Sequence, residues 1–398
     1  MKNCSIFKKV VALFFSIFIV VNVIKNASVL QMTELATTIR NNTLTSDSQQ
    51  RKSQSMLEDD FVDELWKKRQ YIDVSGYLAK LFNIQSYYSD MGMYITDDRY
   101  IVSASPYTTG QYEYEQIVDF YSFLQQNGIN MLYVNEPTKY IDDNIFVKQF
   151  GIESYSNRNM DSFISKIRDA GIPTIDLRDH IEQDGLRVED LFYRTDHHWT
   201  TEAGLWASKY MAEGLNEYCG YSIDSSLYNQ ENFQYNSWNE CWLGEQGRKM
   251  ASSYVGLDDY TEIKPLFPTS YVFNGNDGEY QGTFDSFIDE NVFNIENDIY
   301  KNTSWHYAYH QIDCINNNVD YGKVLILGDS YEHVTEPFLS LGIHETDSLV
   351  LREASDQFNV RDYIIDNQYD TVIICYAQFM LGAHDDPMSA NYKMYSFE

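Results

Sequence analysis

Two strings far apart in the chain carry the residue types of an acyl-transfer site. Thr195-Asp196-His197-His198-Trp199-Thr200 offers a carboxylate and an imidazole, and Val324-Leu325-Ile326-Leu327-Gly328-Asp329-Ser330-Tyr331 leads to a serine. A serine hydroxyl is a weak nucleophile at neutral pH. It needs an imidazole within hydrogen-bond reach to take its proton, and the imidazole needs a carboxylate to fix its tautomer and steady its charge. Ser330, His198 and Asp196 are therefore the expected nucleophile, base and orienting acid.

The surrounding sequence must position them. The apolar run Val324 to Leu327 reads as a buried parallel strand, with Gly328-Asp329-Ser330 as the tight turn that lifts a nucleophile above the sheet. Asp196 and His198 are two residues apart and do not share a helix face, so a loop entering a helix is expected to aim both at one point. Thr200, Thr201 and Glu202 give the helix start, and Ala203 to Leu215 its body. Asp329 is expected to hold the turn by accepting from backbone amides rather than to take part in chemistry.

Asp-His-His-Trp before a helix, followed much later by a strand and Gly-Asp-Ser-Tyr, resembles the DHHW family, which is related to the alginate O-acetyltransferases within the SGNH-hydrolase superfamily. The resemblance runs from about Met93 to the C-terminus and includes a middle segment from Leu243-Gly244-Glu245-Gln246-Gly247-Arg248 through Asp258 and Pro265. It implies a three-layer α/β SGNH-like domain with a circularly permuted order, Asp and His preceding Ser. It also implies the spacing Asp-x-His where ordinary SGNH hydrolases have Asp-x-x-His. The implied activity is acetyl transfer, with a multi-spanning membrane acyltransferase as the partner that passes acetyl groups outward.

A tetrahedral intermediate needs donors for its oxyanion, and the first expected is a backbone amide at the Ser330 or Tyr331 turn. The strand within 369–378 stands where SGNH relatives carry a Gly-x-Asn block, but no Asn is present. Tyr376 and Gln378 are the substitute candidates there. His197 and Trp199 beside the triad, and Asn135 and Lys139 after the strand Asn130 to Val134, are candidates for lining a substrate cleft at the carboxyl edge of the sheet. Packing and turn formation are the other readings of these four. His306 and His310 could join the Asp-His-His string at a metal only if their aromatic-rich segment were helical. Lone histidines explain the pair, and no metal or cofactor is expected beyond an acetyl donor.

Lys2, Lys8 and Lys9 precede an apolar run over residues 10–24 that Lys25 closes, the layout of a secretory signal or signal anchor. With no convincing small-x-small cleavage site following, residues 1–29 are expected to be an uncleaved membrane anchor with the basic end in the cytoplasm, a cleaved leader and a secreted protein being the alternative. Residues 30–58 are rich in Thr, Ser, Asn and Gln and read as a polar stalk. Residues 59–398 would then be one extracytoplasmic domain. Its segment 219–318, dense in Tyr, Asn, Trp and Gly, reads as an insertion of strands and loops.

The net charge of −30 argues against nucleic acid and polyanionic substrates, since no basic stripe could neutralise phosphates. The 33 tyrosines and 22 phenylalanines suit stacking on sugar rings, although most must be core. Of five cysteines, only Cys219, Cys241 and Cys314 are placed to form a disulfide, Cys4 lying in the leader and Cys375 in a strand. The expected function is an extracytoplasmic O-acetyltransferase acting on a cell-surface or exported polysaccharide. A carbohydrate esterase with the same triad, or a non-catalytic glycan-binding protein that kept the fold, are the alternatives.

Coarse periodicity completes the expectation of a mainly parallel sheet. It gives a strand or hairpin over 93–103, helices over 112–126, 160–170, 332–341 and 360–367, and strands over 174–177 and 348–351.

Overall fold

A computed structural model describes residues 17, 20, 21 and 68–398, apart from 87–91, 140–142, 276–277, 289–292, 297–298, 300–312 and 356. Nearly all of the apolar run 10–24, the whole stalk 30–58, and both His306 and His310 lie outside the described residues. Among the described residues, no helix is long and apolar enough to cross a membrane. The chain divides into two compact units, Met1–Leu78 and Ala79–Glu398. Of the first, the described continuous part is the beginning of helix α1 (Lys68–Leu81), whose last turn belongs to the second unit.

The second unit opens with a small hairpin, β1 (Met93–Ile95) and β2 (Ile101–Ser103), then α2 (Gln111–Gln126), β3 (Asn130–Glu136), α3 (Ser156–Asp169) and β4 (Thr174–Asp176). Helix α4 (Thr201–Cys219) follows the Asp-His-His-Trp string, and β5 (Phe233–Trp242), α5 (Glu245–Met250) and β6 (Asp258–Pro265) come next. After them stand β7 (Tyr271–Gly275), β8 (Gly278–Gly282), β9 (Asp313–Asn316), β10 (Lys323–Gly328), α6 (Glu336–Leu339), β11 (Glu345–Leu349), α7 (Val360–Asn367) and β12 (Thr371–Ala377).

One eight-stranded sheet organises the unit, in the order β4-β3-β12-β10-β11-β9-β7-β8. The pairs from β4 to β11 are parallel, while β9, β7 and β8 add antiparallel strands at one edge. Alternation along the central strands shows that both faces are covered. Val324 and Ile326, with Ile373 and Cys375, pack with α4 residues such as Ala207, Met211 and Leu215. Leu325 and Leu327, with Val372 and Ile374, pack against Ile117 and Phe120 of α2, Phe163 and Ile167 of α3, and Ile364 of α7. The result is the expected α/β layering.

Within 219–318, read from the sequence as an insertion of strands and loops, β7, β8 and β9 extend the main sheet, while β5 and β6 form their own hairpin. Two local expectations change. The expected helix over 332–341 is broken into a 3-10 turn (Glu332–Val334), α6 and a second 3-10 turn (Ser340–Gly342). Pro337 has no N–H to bond back to residue 333, so one continuous helix cannot run through it. The strand expected at 348–351 lies earlier, at Glu345–Leu349, where it registers with Lys323–Leu327 of β10.

The four described cysteines, Cys219, Cys241, Cys314 and Cys375, are all buried and free.

Candidate active site

Parallel pairing places the carboxyl ends of β3, β12, β10 and β11 along one edge, and Ser330 stands just beyond β10 on that edge. The turn is tight because Asp329, completely buried, binds two amides. Its Oδ1 accepts from Tyr331 N at 2.8 Å and its Oδ2 from Ala377 N at 2.8 Å, tying the turn to the end of β12. Gly328 is required by space: a Cβ there would lie 2.2 Å from Glu332 Cγ.

Asp196 and His198 sit on a closed loop ahead of α4. Phe192 and Trp199 form a β-bridge, Thr200 N donates to Leu191 O at 2.8 Å, and Tyr193 N donates to His198 O at 3.3 Å. Thr200 is the helix N-cap, its side chain accepting from Ala203 N at 3.1 Å.

Four contacts join this loop and helix to the serine turn. Trp199 Nε1 donates to Tyr331 O at 2.9 Å, Tyr331 Oη donates to His197 O, and Ser208 Oγ donates to Thr335 O at 3.0 Å. At Gly204 the helix comes so close that a Cβ would stand 2.5 Å from Val334 O.

The consequence is a continuous polar line. Ser330 Oγ lies 2.7 Å from His198 Nε2, and His198 Nδ1 lies 2.6 Å from Asp196 Oδ1. Asp196 Oδ1 also accepts from His198 N at 3.1 Å, and Oδ2 accepts from Glu245 N, at the start of α5, at 2.6 Å. With Asp196 ionised, Nδ1 carries the hydrogen and Nε2 presents its lone pair to the Ser330 hydroxyl. Burial alone would raise the Asp196 pKa, but the charge and hydrogen bond of His198, helped by His197 and the Glu245 amide, hold it well below the usual carboxylate range.

His197 is tilted against His198 with ring centroids 3.7 Å apart, and its Nδ1 is 3.3 Å from Asp196 Oδ1. Burial first, and the neighbouring His198 second, push its pKa down to about 3, so it is neutral at physiological pH. Phe379 and Tyr331 stand edge-on and tilted against it, at 6.1 and 6.3 Å between centroids. Asp196, His197 and His198 each offer a ligand atom within 4.8 Å of the others. Both nitrogens of His198 are already directed, one at Asp196 and one at Ser330, which favours the acid-base arrangement over a metal.

Several residues expected at the cleft lie elsewhere. Trp199 is completely buried and braces the serine turn. Asn135 is buried, its Nδ2 donating to Asp176 Oδ1 at 2.8 Å. Lys139 is buried with its amine on two backbone carbonyls, Ile101 O and Arg194 O. Tyr376 Oη donates to Met394 O at 2.6 Å, inside the core. Gln378 Nε2 donates to Ser156 Oγ and Asn157 Oδ1. The Tyr331 amide is taken by Asp329. Of the oxyanion donors the sequence offered, the Ser330 amide is left.

Arg352 was missed. It follows β11 on the same strand edge as Ser330, is partly exposed, and bonds through Nη1 to Asn391 Oδ1 at 2.8 Å. Its charge helps offset the burial that raises the Asp329 pKa. The signal was available: a cation three residues past β11, beside Glu353, at the edge where open α/β sheets bind ligands.

Behind the turn, Glu332 and Glu336 are completely buried, and neither carboxyl has a hydrogen-bond partner. Burial, then the Asp329 carboxylate, push Glu332 up to about 8 from an ordinary 4.5. Between those values the unfolded chain releases its proton while the native state keeps it, so native stability falls as pH rises and levels off above 8. Glu332→Gln should remove that dependence, gaining on the order of 4 kcal/mol relative to wild type between pH 5 and pH 8. Denaturant midpoints across that range check this; parallel curves would contradict it.

The comparisons with known proteins agree with the fold. The family model "SGNH hydrolase-like domain, acetyltransferase AlgX" matches residues 93–231, a range that includes Asp196 and His198 and stops before Ser330. Bacillus cereus PatB1 is similar in structure at a TM-score of 0.61 and 19% identity, over 77% of this chain and 99% of that one. The same protein with a sulfonyl adduct gives 0.58 and 19%, over 76% and 99%. A DHHW family protein from Eubacterium siraeum gives 0.53 and 16%, over 75% and 91%. A comparison with curated proteins finds no match. Residues 93–231 therefore resemble the SGNH hydrolase-like domain of that family model, and the chain shares the fold of Bacillus cereus PatB1 and of the DHHW family protein.

Proposed function

We propose that the chain is a membrane-anchored, extracytoplasmic O-acetyltransferase that acetylates a cell-surface or exported polysaccharide through Ser330, His198 and Asp196. The observation that carries this is the Ser330–His198–Asp196 line, with contacts of 2.7 and 2.6 Å. The AlgX-type family match over residues 93–231 supports acetyl as the group transferred. The basic-flanked apolar run at 10–24 supports the anchor.

In this reading His198 Nε2 takes the Ser330 proton as Oγ adds to the acetyl carbonyl of a donor. The Ser330 amide faces the oxygen that becomes negative. Collapse of the tetrahedral adduct breaks the bond to the leaving group, which takes the proton from His198, and leaves acetyl-Ser330. A sugar hydroxyl then gives its proton to His198 and attacks the acetyl carbonyl; collapse breaks the bond to Ser330 Oγ, which takes the proton back from His198, releasing the acetylated sugar and free Ser330. Asp196 stays ionised throughout, orienting the imidazole.

The test is turnover of p-nitrophenyl acetate by the full chain in detergent, with and without neutral oligosaccharides. Nitrophenol release should be lost in both Ser330→Ala and His198→Ala, and wild type should yield O-acetylated oligosaccharide. Equal release from all three proteins would refute the triad.

A further inference from the structure

Lys139 lies just past β3 and is enclosed, with 6% exposure. Burying an ammonium is costly unless the protein replaces its hydration. Here the replacements are backbone carbonyls: Nζ donates to Ile101 O at 3.0 Å and to Arg194 O at 3.2 Å. Arg194 stands two residues before Asp196, and its carbonyl also accepts from Ile101 N at 3.0 Å, so both sites on that oxygen are filled.

A buried carboxylate grips the same stretch. Asp258, at the start of β6, accepts from Arg194 N at 2.7 Å through Oδ1, and from Thr195 N at 2.8 Å and the Thr195 hydroxyl through Oδ2. The peptide groups of Arg194 are thus held at the carbonyl by a cation and at the amide by an anion. The next residues along are Thr195 and Asp196.

The geometry points to Lys139 as a positioning residue: its ammonium, working with Asp258 on Arg194 and Thr195, fixes the loop that aims Asp196 at His198. This rests on the triad reading above and adds a residue that touches neither substrate nor the reacting atoms. The charged and titratable groups around the amine are Asp258 from β6 and Asp196 and His197 from the motif loop, with the Tyr100 ring 5.9 Å away from the β1–β2 hairpin. Burial lowers Lys139 to about 8 while Asp258 and then Asp196 pull it back, which leaves it charged at pH 7.

Lys139→Met keeps the volume and removes the charge and donors. It should lower kcat/KM for p-nitrophenyl acetate about 10- to 100-fold, mainly in kcat, because the loop shifts. It should also move the acid limb of the pH profile upward, because a buried cation facing Asp196 and His197 in the motif loop is gone. Lys139→Arg keeps the cation and should keep the wild-type acid limb. A residue that only filled space would change stability and leave the limb in place. A folded Lys139→Met variant with wild-type kcat/KM and an unmoved limb would overturn the inference.

Should that variant fail to fold, Asp258→Asn carries the test. It removes an anion from the same loop and should move the limb to lower pH; an unmoved limb would overturn the inference equally. Ser330→Ala in the same assay separates the two claims. Turnover that survives it removes the triad reading, whereas a dead Ser330→Ala beside an unaltered Lys139→Met removes only the role of Lys139.

Discussion

Asp196→Asn should lower kcat for acetyl-ester turnover by about 10,000-fold while leaving the fold intact. The reason lies in the count of donors around this carboxylate. Oδ1 accepts from His198 N and Nδ1, and Oδ2 accepts from Glu245 N, so both oxygens are acceptors. An asparagine has one acceptor oxygen and an NH2 group. If the oxygen stays with His198, the NH2 group opposes the Glu245 amide. If the oxygen turns to Glu245, the NH2 group faces Nδ1 and favours the tautomer with hydrogen on Nε2, which cannot take the Ser330 proton. Steady-state kinetics with a thermal melt alongside checks this. A loss below about tenfold in a folded variant would mean that Asp196 does not orient the base.

Gly244→Ala should give the next largest loss, about 100-fold in kcat. Its new Cβ would lie 2.4 Å from Asp196 Cβ, 2.6 Å from Asp196 Oδ2 and 2.7 Å from Thr195 O. Two of these are fixed by backbone or by the first side-chain bond, so the loop must move rather than a flexible tip. The same shift pulls Gly244 N away from Thr195 Oγ1, now 2.8 Å, and Glu245 N away from Asp196. Overpacking of this kind costs about 1–3 kcal/mol in stability. Kinetics on the folded variant, with the denaturant midpoint, would show both effects. Wild-type kcat would mean that α5 does not hold the triad carboxylate.

What the sequence made legible was local. The Gly-Asp-Ser turn follows from a short buried strand with a turn former at its end, and Asp329 holds that turn through two amides as its residue type suggests. The helix start at Thr200 carries its own cap, and α7 runs over Val360–Asn367 as its periodicity implies. Distant partners were not legible. Asn135, Tyr376 and Gln378 sit at strand ends where a cleft residue would sit, yet each finds a buried partner more than fifteen positions away in sequence. Lys139 was read as a cleft-lining candidate because nothing local encodes two carbonyls waiting for it. The addition of β7, β8 and β9 to the sheet is likewise a long-range pairing, carried by register rather than by composition.

Whether Ser330 carries the acetyl group is decided by intact-mass and peptide mass spectrometry of the full chain in detergent, quenched in acid after brief exposure to p-nitrophenyl acetate. One acetyl adduct is expected on the peptide containing Ser330, absent from Ser330→Ala and from His198→Ala, and discharged by added oligosaccharide. Acetylation spread over lysines, or an adduct that persists in Ser330→Ala, would contradict it.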